Sequence, residues 1–377
     1  MPDSGEYPAG RSCKQMGNVL ITPLNWGLGH AARDIPIICE LLRRGHEVTI
    51  GACGNAYTLL EREFPTCRFL YFEDYPLPYN RGRFFFPTFT AHLPRLIQSL
   101  AEERRALAGI LSKDHYDLII SDSRPGVFSA DIPSLHITHQ IHQSLPLLFW
   151  PAELIGIRVN TNAFRRYDAV IIPDNPPGDH SLSGKLSRTY FRRKKPEFWY
   201  AGIIASVNRE KSGKDIDILA LISGMEPQRT ALEKILLEQV PLLPGKKVIL
   251  LGTPGSNREV AGDDNTTVFS YVPNHEKVAL MSRAKFIICR SGYTTMMDLA
   301  ELQLKNGLFI PTPGQWEQEY LSSYYRNKGW FYSKSQYRLK LDRDIDRARN
   351  YSGFPGMPST NANVARLYEH LLSRYLE

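Results

Sequence analysis

The feature that most constrains this chain is the stretch at residues 285–320, KFIICRSGYTTMMDLAELQLKNGLFIPTPGQWEQEY. Two short apolar runs, 285–289 and 308–310, flank one helical segment. Runs of this length without polar alternation suit strands buried on both faces of a parallel sheet. Ser291 and Gly292 break the first strand. Thr294 and Thr295 can cap the helix that follows, and Asp298 falls in its first turns. Pro311, Pro313 and Gly314 force a rigid loop after the second strand, and that loop carries Gln315, Glu317, Gln318 and Glu319.

The same stretch has the chemistry of a ligand site. A Ser-Gly turn presents unpaired backbone N–H groups at a helix N-terminus, where the dipole favours an anion such as phosphate. Asp298 follows about two turns later, and acidic residues near such sites commonly hold ribose hydroxyls. Gln318 offers both a donor and an acceptor to sugar hydroxyls. The competing reading is an ordinary strand–helix junction with solvated polar residues. Convergence of several polar features on strand C-terminal ends favours the site.

A length of 377 residues is long for one core and natural for two domains. The hydrophobic share of 42% and charged share of 23% are those of a globular protein. The net charge of +7 favours anionic partners such as nucleotide phosphates or lipid heads. The five cysteines, Cys13, Cys39, Cys53, Cys67 and Cys289, are odd in number and contain no C-x-x-C. They fit a reduced, cytoplasmic protein without a zinc site. No run approaches the roughly 18 apolar residues of a membrane span. Residues 1–16 lack an apolar h-region and read as a disordered leader.

From residue 18 the chain reads as strand 18–23, a glycine loop NWGLGHAAR, a helix ending at Gly45, and strand 47–52. This βαβ unit implies parallel strands with a right-handed crossover. Gly27 and Gly29 permit a tight turn where a ligand can approach the backbone. The loop is not the dinucleotide G-x-G-x-x-G. His30 stands at the helix start, at the open end of the sheet, where a histidine can serve as general base near neutral pH. A capping role for His30 stays open.

Further on, Phe84, Phe85 and Phe86 follow Arg81 and Arg83 in a proline-rich segment read as a loop. An exposed basic-aromatic loop suits a membrane interface; burial in the first core or in an acceptor cleft is the rival. A long helix is expected at 93–111 and a strand at 116–121 that ends in Asp122, followed by Arg124. His136, His139 and His142 recur every three residues, but without Cys or carboxylate partners they suit an acceptor cleft better than a metal. The run Arg192–Lys195 could meet phosphate or nucleic acid, yet such runs are usually solvated.

The second half opens with strand 216–223, then Gly224 and a helix start at Gln228, Arg229 and Thr230 suited to a diphosphate. Strands at 246–251 and 266–271, a helix to 285, a charged segment at 338–349, a flexible crossing at 352–360 and a last amphipathic helix at 362–376 complete the chain.

Residues 285–320 resemble the donor-site signature of GT-B glycosyltransferases, most closely glycosyltransferase family 28. Ser291, Gly292 and Asp298 match its Ser-Gly turn and its helix acid seven residues after the Ser. The family more often carries Glu at the acid. Gln318 and Glu319 fall where it often places a Gln-Gln pair on the donor sugar, and Glu319 departs from that pattern. Gly29 and His30 match the end of its N-terminal Gly-Gly-His loop beside the acceptor, and Gly27 belongs to the same loop. Gly224 matches its donor-contacting glycine loop, and Tyr271 and Val272 fall in its base-binding region.

The resemblance implies two doubly wound Rossmann-like domains facing a cleft. Residues 17–208 would bind the acceptor and 209–355 the donor, with 356–377 packing back on the first domain. It implies transfer of a sugar from a nucleotide diphosphate donor, a UDP-sugar by analogy, to an acceptor hydroxyl that could be lipid-linked. His30 resembles the catalytic histidine of related plant-type glycosyltransferases, and Asp122 the aspartate that orients it. On the donor side the implied set is Gly224, Arg229, Tyr271, Val272, Ser291, Gly292, Tyr293, Thr294, Asp298, Gln315, Gln318 and Glu319; on the acceptor side it is Gly27, Gly29 and His139.

No acidic D-x-D motif ends a strand, so neither metal nor cofactor is expected, and direct displacement would invert the anomeric centre. The expected location is cytoplasmic, peripheral on the inner membrane face through Phe84–Phe86, with no nucleic-acid partner. Rival functions are a nucleotide-sugar 2-epimerase of the same fold and a non-catalytic nucleotide-sugar-binding subunit.

Overall fold

The computed structural model describes residues 16–25, 28–74, 85–141, 158, 160–189, 196–209, 212–224, 226–253 and 259–377. The leader at 1–15, Gly27, Arg81, Arg83, Phe84, His142, most of the helix expected at 147–164, and Arg192–Lys195 lie outside these residues.

The first sheet contains β1 (Asn18–Pro23), β2 (Glu47–Ala52), β3 (Arg68–Tyr71), β4 (Leu118–Asp122), β5 (Ser134–Ile137), β6 (Ala169–Ile172) and β7 (Glu197–Tyr200). Their spatial order is β3-β2-β1-β4-β5-β6-β7, all parallel. The second sheet contains β8 (Ile218–Leu221), β9 (Lys247–Leu250), β10 (Glu259–Asp263), β11 (Thr266–Phe269), β12 (Ile287–Cys289), β13 (Gly307–Phe309) and β14 (Tyr332–Ser333). Its order is β10-β11-β9-β8-β12-β13-β14, with only edge strand β10 antiparallel. Each sheet is therefore doubly wound. The order reverses between β1 and β4 in the first and between β8 and β12 in the second. Crevices outside the carboxyl ends of strands at such reversals are where open α/β sheets take ligands.

The helices are α1 (Leu28–Arg43), α2 (Gly54–Glu63), α3 (Phe85–Leu111), α4 (Gln228–Gln239), α5 (Asn274–Arg283), α6 (Tyr293–Glu301), α7 (Trp316–Asn327), α8 (Leu341–Ala348) and α9 (Thr360–Leu367). The strands supply fully buried apolar residues such as Val19, Ile21, Ile120 and Ile171, as two-sided burial requires. α1 lays Ile37, Ile38 and Leu41 on that sheet. The chain's last segment adds Val364, Leu367, Leu371, Leu372 and Leu376 to the same core.

Two local expectations are corrected. Phe85 and Phe86 open α3 rather than standing in a loop, and the helix begins eight residues before residue 93. Pro87 sits in the first turn, where its missing N–H has no helical partner to lose. Residues 352–360 are not a free crossing. Phe354 packs edge-on against Tyr325 and Trp330 and lies 4.7 Å from the Phe331 ring, and Met357 is buried.

Candidate active site

β1 runs directly toward α1, which carries His30 in its first turn; β4 ends at Asp122 in the neighbouring strand, paired with Pro23. The sheet order thus brings together two residues 92 positions apart. His30 Nδ1 lies 3.0 Å from Asp122 Oδ1. A carboxylate only accepts, so in the tautomer that bonds Asp122 the ring proton sits on Nδ1 and Nε2 keeps a free lone pair. Asp122 is fully buried, whereas the His30 side chain retains 20% exposure. Ser123, next in the chain, has φ of 60°, a left-handed conformation uncommon outside glycine that clusters at functional sites.

Arg33, three residues beyond His30, is the partner the sequence did not reveal. Its Nε donates to Asp122 Oδ2 at 2.6 Å and its Nη2 donates to Oδ1. Burial alone would raise the Asp122 carboxyl, but the Arg33 charge and the hydrogen bonds from Arg33 and His30 hold it far below the ordinary carboxylate range. Arg124, two residues after Asp122, turns away from it. It donates to Pro23, Glu73 and Phe72 carbonyls and pairs with Glu103 and Asp74. Asp34 is fully buried and neither of its carboxyl oxygens has a hydrogen-bond partner. Burial first, then the Asp122 charge, pushes its carboxyl well up.

On the facing side, α6 begins at Gly292, its N-cap, so its first N–H groups lack helical partners. The approach is close. A Cβ on Gly29 would lie 2.5 Å from Thr294 Oγ1, so any other residue there forces Thr294 to shift. Tyr293 stacks on His139 with ring centroids 4.2 Å apart and donates its hydroxyl to the Pro173 carbonyl. Glu317, at the start of α7, crosses the cleft: His139 Nε2 lies 3.0 Å from its Oε1, and Gln140 Nε2 donates to its Oε2 at 2.5 Å. Burial would raise the Glu317 carboxyl, but the His139 contact holds it below its usual value.

The donor-side residues sort by what their side chains already do. Gly292 and the Gln318 amide adjoin: a Cβ on Gly292 would stand 3.8 Å from Gln318 Nε2, while Gln318 Oε1 accepts from the Thr312 N–H. Gly224, at φ +115°, turns the chain beside Thr312 and Arg290. Ser291 is not open to a ligand. Its hydroxyl donates to the Gln318 carbonyl and accepts from Ser322. Asp298 lies under the segment joining the two sheets, where Ser206 donates to it from both backbone and hydroxyl.

Val272 is part of the second core, and Tyr271 is partly exposed beside it. Arg229 pairs with Glu226 and Glu233. Gln315 is the exposed N-cap of α7, and Glu319 accepts from the Gly314 N–H. Arg290, passed over in the sequence, is buried and, among the described residues, donates to the carbonyls of Ser223, Gln228, Ile310 and Pro311. Burial lowers its guanidinium to about 10. A cation with no carboxylate partner among the described residues thus lies beside the Gly224 turn.

Residues 232–369 match the glycosyltransferase family 28 C-terminal domain. An uncharacterized glycosyltransferase of Methanosarcina acetivorans is 25% identical over 328 residues, covering 81% of this chain and 82% of its own. The calicheamicin glycosyltransferase CalG4 superposes with a TM-score of 0.61 at 14% identity, over 95% of this chain and 94% of its own. The spinosyn rhamnosyltransferase SpnG, solved with thymidine diphosphate, gives 0.58 at 14% identity over 94% and 96%. At these identities the solved structures establish the fold.

The two facing, doubly wound sheets and the matched sequences define a glycosyltransferase of the GT-B fold. Its second half carries the glycosyltransferase family 28 C-terminal domain. Among the described residues, no helix is long and apolar enough to cross a membrane.

Proposed function

We propose that the chain transfers a sugar from a nucleoside diphosphate donor to an acceptor hydroxyl, with His30 as general base and Asp122 as its orienting partner. The observation that carries this reading is the His30–Asp122 pair at one sheet reversal, set against the anion-ready α6 N-terminus at the other. Nε2 of His30 would take the proton of the acceptor hydroxyl. The α6 N–H groups, with Arg290 beside the Gly224 turn, would stabilise negative charge as the diphosphate departs. One base facing one leaving group makes a single displacement, which inverts the anomeric centre. The reading needs no metal.

Residues 17–208 would hold the acceptor and 209–355 the donor, with 356–377 returning to the first core. Gln318 would contact the donor sugar. The thymidine diphosphate bound by SpnG supports a nucleoside diphosphate as the class, and a UDP-sugar is the first donor to try. A lipid-linked acceptor, met at the inner membrane face through the segment preceding α3, is the acceptor reading to test alongside soluble alcohols.

The test is nucleoside diphosphate release from a panel of UDP- and TDP-sugars, with lipid-linked and soluble acceptors, in wild type and His30→Ala. Release should follow one base and fall by about 10²-fold or more in the variant. Equal release in the two proteins would overturn the assignment of His30.

A further inference from the structure

Arg33 is 1% exposed, lies on the same helix face as His30, and saturates both oxygens of Asp122. Its Nη2 also lies 2.9 Å from His30 Nδ1 and 3.3 Å from Ser123 Oγ. The orienting carboxylate of the proposed base is therefore shared between an imidazole and a guanidinium, and the guanidinium takes two of its bonds. An isolated buried carboxylate beside a histidine draws a proton onto the ring, because the imidazolium–carboxylate pair is the cheaper way to bury that charge. A protonated ring cannot act as a base.

We propose that Arg33 is a positioning residue that neutralises Asp122, so that the carboxylate orients His30 through Nδ1 without charging it. The proposal rests on the transferase reading, in which His30 must be neutral to act.

The other charged and titratable groups around the ring reinforce the need for such a cation. Glu317 approaches from α7 as an anion already bonded to His139 and Gln140. Asp74, after β3, is paired with Arg124. His136 on β5 is pushed down to about 4 by burial and stays neutral. Asp34, the residue after Arg33, has its carboxyl pushed well up by burial. Among the described residues, Arg33 is the cation in direct contact with the Asp122–His30 pair, and the nearby unneutralised charge is negative. Removing Arg33 leaves His30 facing that negative charge alone.

The experiment is an NMR pH titration of the His30 ring in the full chain, its signal assigned by loss in His30→Gln. In Arg33→Met the midpoint should rise by about one pH unit or more. Arg33→Lys keeps the charge and should return the midpoint toward that of wild type. Where the Met variant does not fold, Arg33→Gln keeps a hydrogen bond to Asp122 without the charge, and the same rise is expected. An unchanged or lowered midpoint in a folded neutral variant would overturn the proposal, as would a Lys variant that titrates like the Met one. The titration uses no donor or acceptor, so its failure and the failure of the transferase reading are separate results. With a donor in hand, the acid limb of kcat/KM should move up in Arg33→Met by the same amount as the ring's midpoint.

Discussion

Replacing Asp122 by Asn separates the two jobs given to this carboxylate. In the wild type it accepts two bonds from Arg33 and one from His30 while fully buried. Asn keeps the shape and one acceptor but removes the charge, so the Arg33 guanidinium is left buried and uncompensated. Breaking one partner out of a buried ion pair costs about 3–5 kcal/mol. At about 2–4 °C per kcal/mol for a domain of this kind, the lower end of that cost predicts a fall in Tm of roughly 6–12 °C. His30→Gln changes a partly exposed ring at the edge of the same network, and its cost should stay within about 1 kcal/mol.

Thermal unfolding of both variants at pH 7.5 is the assay. The account requires Asp122→Asn to melt far below His30→Gln, although both would lose the proposed base. The pH dependence has a sign as well. The Asp122 carboxyl is held below its unfolded value, so its stabilisation is present above about pH 3.9 and is lost as pH falls toward the folded value. That acid-side loss should be missing in Asp122→Asn. Equal melting of the two variants, or an Asn variant within 2 °C of wild type by this roughly estimated scale, would refute the reasoning.

Asp34 has the opposite sign: its folded carboxyl is raised, so the group favours the fold at low pH and burdens it as pH rises. Asp34→Asn should therefore raise Tm at pH 8 relative to wild type, with the gain shrinking toward pH 4. Gly29→Ala puts a Cβ within 2.5 Å of Thr294 Oγ1 and should weaken closure of the cleft, raising KM for the donor; adding Thr294→Ala should restore part of it in the same steady-state assay. Arg290→Met removes the donor to four loop carbonyls and should cost about 2–4 kcal/mol in denaturant unfolding, with weakened nucleotide binding in the protein that remains folded.

The fold was legible because strands buried on both faces must be apolar and their turns must break. β1 and β12 announce themselves as NVLITP and IIC, followed by glycine turns. His30 was legible from its place at a helix start after a strand. Its link to Asp122 was not, since no spacing relates residues on β1–α1 and β4; the resemblance supplied it, and sheet order makes it physical.

The buried charges were least visible. Arg33, Asp34 and Arg290 have the composition of surface residues, and only the tertiary structure shows what they pair with or lack. Glu317 was read as part of a polar loop, and its crossing to His139 depends on how the two sheets face each other. Ser291 and Asp298 fit the motif in sequence, yet their side chains are spent on Gln318, Ser322 and Ser206. In this fold the motif's exposed part is the Gly292 backbone.

That last point gives the most direct measurement. Gly292 has φ of −72° in extended backbone that any residue adopts, and a Cβ there meets only Gln318 Nε2 at 3.8 Å. Gly292→Val should fold, losing about 1 kcal/mol at the cap, while its side chain stands over the N–H groups that would take the diphosphate. Calorimetric titration of wild type and Gly292→Val with UDP and TDP is the measurement. The account predicts binding of one of these to wild type and its loss in the folded variant. Equal binding to both proteins, or none to wild type, would contradict the placement of the donor at the α6 N-terminus.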